Sequence, residues 1–127
     1  MTDKERELIG ELEAKGRLPW TPGMMAEKKE DGVSFMVVGI HSPLYLYDVR
    51  KNVVRTDCTH APCDALKGWL VEQFTEYDLL VLKSNFSEGW FASITSPTTG
   101  KREFYGETLL GALLRAFRGK MEVERGA

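Results

Sequence analysis

With two cysteines among 127 residues, the chain has too few to build a disulfide scaffold. It also lacks an excess of either charge: Lys and Arg number 17 against 19 Asp and Glu. No global basic field therefore exists to draw nucleic acid nonspecifically, which leaves only a local patch for that role. Long apolar runs are missing as well. The longest, Phe35 to Ile40, falls far short of a bilayer span. The opening Asp3-Lys4-Glu5-Arg6-Glu7 lacks the apolar core of a secretory signal. These absences predict a cytoplasmic protein with no membrane partner. What is present is a globular composition, 28% charged and 10% aromatic, with enough apolar surface to fold. The length predicts one domain over 1–127, with a frayed tail at 122–127.

The chain ends twice in the same way, in strands that run through a polar turn into an amphipathic helix with an early glycine. Leu44 to Val54 feeds Pro62 to Tyr77, and Trp90 to Tyr105 feeds Thr108 to Met121. This recurrence divides the chain into pseudo-repeats over about 20–77 and 78–121. Ahead of them, Asp3 to Lys15 carries a narrow stripe of Leu8, Ile9 and Leu12. That pattern predicts a helix capped by Thr2 or Asp3 and ended at Gly16. Leu18 to Gly23 reads as a Pro-fixed turn in which Gly23 takes a positive φ and Trp20 plugs a sheet edge.

Strands are expected at Met24–Glu27 and Val33–Ile40, joined by a hairpin through Asp31-Gly32, and then at Leu44–Val49 and Val53–Thr56. A helix from Pro62 buries Leu66, Trp69, Leu70, Phe74 and Tyr77. Leu79 to Leu82 is a continuous apolar run suited to a central strand covered on both faces. A hairpin of Trp90–Thr95 and Lys101–Tyr105 follows. The last helix, capped by Thr108, buries Leu110, Leu113, Leu114 and Phe117. Gly68 and Gly111 each cost their helix roughly 1 kcal/mol, which implies close packing at both. The fold class is α+β: an N-terminal helix, then two strand-hairpin and helix units with a mainly antiparallel sheet covered by helices.

Asp57-Cys58-Thr59-His60-Ala61-Pro62-Cys63-Asp64 gathers two thiols, an imidazole and two carboxylates. With His41 it could supply four zinc ligands, but the spacing does not form two knuckles, so no metal is favoured and no cofactor is expected. Alternatively Cys63, in a helix first turn, would be a reactive thiol with His60 as its base. The simpler reading has both cysteines packing, with Thr59 or Asp57 capping the helix. Gly100-Lys101-Arg102 lacks the P-loop pattern and reads as a solvated turn. Tyr45, Tyr47, Phe91 and Phe104, with Lys101 and Arg102 beside them, form the expected ligand or partner face. Burial of that face against a helix or a second subunit, giving a homodimer, is the alternative to an open face.

Leu18-Pro19-Trp20-Thr21-Pro22-Gly23-Met24, the stretch Asp57 to Val71, and Gly106 to Leu114 preceded by Gly89-Trp90-Phe91-Ala92 resemble small bacteriophage and prophage proteins. The last of these is similar to phage domains that sandwich a sheet between helices, an α-β-α arrangement. The resemblance implies an origin and an architecture and brings no catalytic residues. The expectation is a non-enzymatic, phage-type accessory protein that binds a host protein or a small signalling molecule, as a host-defence inhibitor would. A small thiol- or metal-dependent enzyme and a nucleic-acid-binding module with an aromatic sheet face are the competing readings.

Overall fold

Helix α1 (Asp3–Ala14) begins and ends where its sequence says it should. The Thr2 hydroxyl accepts the Glu5 amide at 3.2 Å, an N-cap worth about 1 kcal/mol. At the other end Gly16 sits at φ 66°. The Arg17 amide reaches the Leu12 carbonyl at 2.9 Å and the Gly16 amide reaches Glu13 at 2.9 Å, which completes a Schellman motif. A computed structural model describes residues 2–28, 34–39, 45–47, 52–54, 58–84 and 88–126. Its packing separates two compact units, Ile9–Leu66 and Thr2–Leu8 with Lys67–Ala127. The division falls inside α1, after Leu8, and again after Leu66, ahead of the 77/78 step at which the sequence repeat divides.

The first unit is built on an antiparallel sheet of β1 (Met25–Lys28), β2 (Ser34–Gly39), β3 (Tyr45–Tyr47), β4 (Asn52–Val54) and β5 (Cys58–Ala61), in the order β4-β3-β2-β1-β5. β1 and β2 pair in the register Met25↔Met36 and Ala26↔Phe35, as a hairpin requires; the Asp31-Gly32 turn itself lies outside the described residues. Gly23 takes φ 92° and donates its amide to the Val37 carbonyl at 3.0 Å, so the Pro-fixed turn feeds directly into the sheet. Met24, Ala26 and Val37 are buried at its centre.

β5 corrects the sequence reading. The sequence predicts packing and capping for Cys58 to Ala61, yet these residues form an edge strand in the register Ala26↔His60 and Lys28↔Cys58. The signal was hidden because the segment carries Cys, Thr and His where strand patterns are sought in Val, Ile and aromatics. Helix α2 (Asp64–Glu72) then starts two residues after Pro62. Thr59 does not cap it, since its hydroxyl goes to Glu13, and Asp57 lies outside the described residues; the Leu66 amide points at the Cys63 sulfur at 3.4 Å.

The second unit holds the sheet β6 (Asp78–Lys83), β7 (Trp90–Ser96) and β8 (Gly100–Gly106), in that order and antiparallel. Helix α3 (Leu109–Gly126) packs on β7 and β8 and remains helical through residues 122–126. It buries Leu110, Leu113, Leu114 and Phe117, each worth about 1.5–3 kcal/mol, and Phe117 meets Trp69 edge-on at 5.4 Å. Two arginines tie helix to strand reciprocally: Arg115 donates to the Tyr105 carbonyl at 2.8 Å, and Arg102 to the Gly119 carbonyl at 3.0 Å. The run Leu79 to Leu82 is not a central, doubly covered strand. β6 is an edge, and Leu80 and Leu82 stand exposed, because α3 covers only the face on which Ala92 and Ile94 lie.

The two expected glycine contacts separate. At Gly111 an added Cβ would lie 3.3 Å from the Thr108 hydroxyl, whereas at Gly68 it would meet nothing within 4 Å. The tightest approaches are at glycines the pattern did not mark. A Cβ at Gly106 would land on the Ala112 backbone amide, and one at Gly119 on the Phe104 ring. Gly68→Ala should therefore stabilise the chain by about 0.5–1 kcal/mol, while Gly106→Ala should destabilise it by about 1–3 kcal/mol. Urea unfolding of both variants beside the parent chain checks the opposite signs.

Candidate functional site

Within the described part of this segment, Cys58–Asp64, the edge strand β5 presents His60 and Thr59 to the same carboxylate, that of Glu13. His60 is wholly buried. Its Nδ1 lies 2.5 Å from Glu13 Oε1 and its Nε2 lies 3.0 Å from the Pro19 carbonyl. A carbonyl oxygen only accepts, so Nε2 carries a hydrogen. The Glu13 carboxylate also accepts, so Nδ1 carries the other, and the ring donates on both sides as an imidazolium. Trp20 stacks on it at 3.6 Å with the planes 7° apart, a placement that favours a cation. Trp20 thus sits at the β5 edge, as its turn predicted.

Glu13 gathers more than the ring. Its Oε1 accepts the His60 amide at 2.9 Å and its Oε2 accepts the Thr59 hydroxyl at 2.9 Å. Burial pushes its carboxyl up, but the hydrogen bonds from the His60 side chain, the His60 amide and Thr59, with the charge of His60, outweigh that and hold it below 4.5. The arrangement is a closed polar network. With both ring nitrogens engaged, His60 has no lone pair to offer Cys63 as a base or a cation as a ligand. Among the described residues no three His, Cys, Asp or Glu side chains are placed to share a metal, and His41 lies outside them.

A second buried carboxylate occupies the other unit. Glu5 is 4% exposed and accepts the Thr108 hydroxyl at 2.6 Å, while that hydroxyl accepts the Gly111 amide at 3.0 Å. Thr108 therefore caps α3 and donates to the third residue of α1, so one hydroxyl joins two helix starts. A hollow of about 240 Å³, much of it open to solvent, lies here between Thr2, Lys4, Glu5, Gly106, Thr108 and Arg115. Its internal anion is Glu5 itself.

The expected partner face is not one surface. Tyr45 and Tyr47 belong to β3, in the first unit's sheet, and their side chains lie outside the described residues. Phe91 opposes Tyr105 while Phe104 opposes Ala92, so the two phenylalanines point to opposite faces of the second sheet. Phe104 faces α3, half-buried, with the Arg102 guanidinium 5.2 Å from its ring centre. Arg102 is thereby held inside, and Lys101 pairs with Glu103 at 3.1 Å on the exposed side. Residue parity alone separates them.

Phe91 instead joins residues that the sequence reading had assigned to a covered strand. The face turned away from α3 carries the row Leu82, Phe91, Tyr105 and, beside it, Leu80, Ser93 and Glu103. Leu80 is 54% exposed, Leu82 53%, Phe91 37% and Tyr105 37%, and the two rings meet at 5.2 Å. The third row, Asp78, Thr95 and Lys101, is polar. Gly89 makes room for this arrangement, since a Cβ there would strike the Tyr105 ring. The clue available in the sequence was the alternation of Phe91, Ser93 and Thr95; the leucines were misassigned because an apolar run looks the same at an edge and at a centre.

The Glu13 network makes a pH-dependent contribution. Because the folded Glu13 value is lowered, its stabilisation is fully present above the ordinary glutamate range and is lost as pH falls through the folded value. Glu13→Ala, which removes the acceptor of the Thr59 hydroxyl, the His60 amide and the His60 ring, should cost about 2–4 kcal/mol at neutral pH, and Glu13→Gln less. The gap between the parent chain and Glu13→Gln should close as pH drops below about 4.5, the ordinary carboxyl value. Denaturant unfolding from pH 7 to pH 3 measures it. A gap unchanged across that range would remove the assignment. No family model, curated protein or solved structure matches this chain.

Proposed function

We propose that the chain is a non-enzymatic binding protein of the accessory type its phage resemblance implies, and that it engages a host protein through the outer face of the β6-β7-β8 sheet. The observation that carries this reading is the contiguous apolar row of Leu82, Phe91 and Tyr105 with Leu80 beside it. Exposed patches of this kind, rimmed by polar residues, are typical of protein contacts. Aromatic anchors at the centre and charge at the margin, here Asp78, Lys101 and Glu103, match the anatomy of such interfaces.

A protein target fits better than a small signalling molecule. The face is a sheet surface, whereas small ligands take concave sites of about 300–1,000 Å³. The hollow beside Glu5 is largely open to solvent and already holds a bonded carboxylate. A nucleic-acid role has less support, since Arg102 and Arg115 are engaged by backbone carbonyls and Lys101 by Glu103. The thiol-enzyme reading is likewise weakened by the engagement of both His60 nitrogens.

The test is capture from host lysate, identification of the captured protein, and reconstitution of the pair from purified components. Phe91→Glu should abolish the reconstituted complex, and Val71→Glu, an exposed apolar position on α2, should leave it intact. Circular dichroism confirms that both variants fold. Equal binding by the two variants would sink the proposal.

A further inference from the structure

We infer that β6 is a self-pairing edge, and that two copies of the chain join their three-stranded sheets into one six-stranded sheet through antiparallel β6 strands. The inference rests on the proposed function, because it states the form in which the outer apolar face is presented. A strand edge is a row of amides and carbonyls that will template another strand unless charge, proline, a bulge or a covering group blunts it. Two other edges are blunted. Glu13 holds the His60 amide of β5, with Trp20 over the same residue, and Arg115 holds the Tyr105 carbonyl of β8.

Among the described residues, β6 carries no such device along its middle. Its register with β7 runs from Asp78↔Thr95 to Lys83↔Trp90 without a shift. Leu79, Leu80, Val81 and Leu82 hold neither charge nor proline, and Leu80 and Leu82 are both more exposed than Phe91. A regular apolar edge of this kind is an interface or a hazard.

The strand itself selects a second copy as the occupant. Asp78 and Lys83 lie exposed at its two ends, so antiparallel pairing brings the acidic end of one strand beside the basic end of the other. Parallel pairing would set like charges together. A twofold axis normal to the sheet maps each face onto itself, so opposed residues must share a face and the register must centre on a residue. Two registers pair most of β6. Centred on Leu80, Asp78 would oppose Leu82 of the second copy on the outer face. Centred on Val81, Leu80 opposes Leu82 of the second copy twice over, Val81 meets its own equivalent, and Leu79 lies under the Lys83 stem. The second register matches apolar with apolar throughout the middle, and it places four leucines between the two Phe91 rings on one continuous face.

The register makes a charge-swap test possible at exposed positions, where the fold is not at risk. Sedimentation equilibrium on the full chain should give twice the chain mass. Leu80→Glu with Leu82→Glu should sediment as single chains, because like charges then oppose across the axis. Leu80→Glu with Leu82→Lys should recover the doubled mass, because opposite charges then meet, and Phe91→Glu should stay dimeric. Amide exchange in β6 should slow as the chain concentration rises. A parent chain that stays monomeric, or a dimer indifferent to these substitutions, overturns the inference. If the parent chain is monomeric yet Phe91→Glu still loses the host protein, self-pairing fails and the binding face stands. If the dimer forms as described and Phe91→Glu binds as well as Val71→Glu, the proposed function fails alone.

Discussion

Sheet edges set the governing constraint in this protein, because every edge strand carries backbone groups that must be bonded to something. Each unit meets the demand with ionic side chains sent in from a helix. In the first, Glu13 leaves the last turn of α1 and takes the His60 amide of β5 together with the imidazole and the Thr59 hydroxyl. In the second, Arg115 of α3 takes the Tyr105 carbonyl of β8. The burial of His60 follows from the same constraint. A charged ring survives without water only because a carboxylate, a carbonyl and an indole face surround it.

The helix starts are handled with similar economy. Thr2 and Thr108 each satisfy an orphan amide at their own N-terminus, and the Thr108 proton goes to Glu5. A Thr-x-x-Glu sequence ordinarily closes on itself, with the glutamate returning to the cap residue's amide. Here the carboxylate accepts from another helix's cap, so a local device becomes a tertiary one. Gly106 and Gly111 permit it, since the β8-to-α3 turn passes too close for a side chain at Gly106.

Functional reading follows from what these devices leave uncovered. The polar cluster that looked most chemical in the sequence is closed, whereas the apolar run that looked most structural stands in solvent at β6. Three of the residues nominated for a common face, Phe91, Phe104 and Arg102, are distributed by strand parity, so only Phe91 joins the outer apolar row. Tyr105, Leu80 and Leu82 complete it. None of the three was nominated: Tyr105 sits at a strand end and the leucines sit in a run without alternation.

Local signals settled much of the architecture. The caps at Thr2 and Thr108, the positive-φ glycines at Gly16 and Gly23, the strand alternation of Trp90 to Thr95 and the apolar stripe of α3 all read correctly from neighbours in the chain. They are short-range effects, governed by dihedral freedom and by period. Whether an apolar strand is an edge or a centre depends on what lies beside it in space. Whether a histidine is a base or a buried cation depends on which carboxylate, 47 positions away, comes to meet it. Those choices were made by tertiary structure, because hydrogen-bond partners and solvent exposure are properties of the folded neighbourhood, and periodicity carries no record of either.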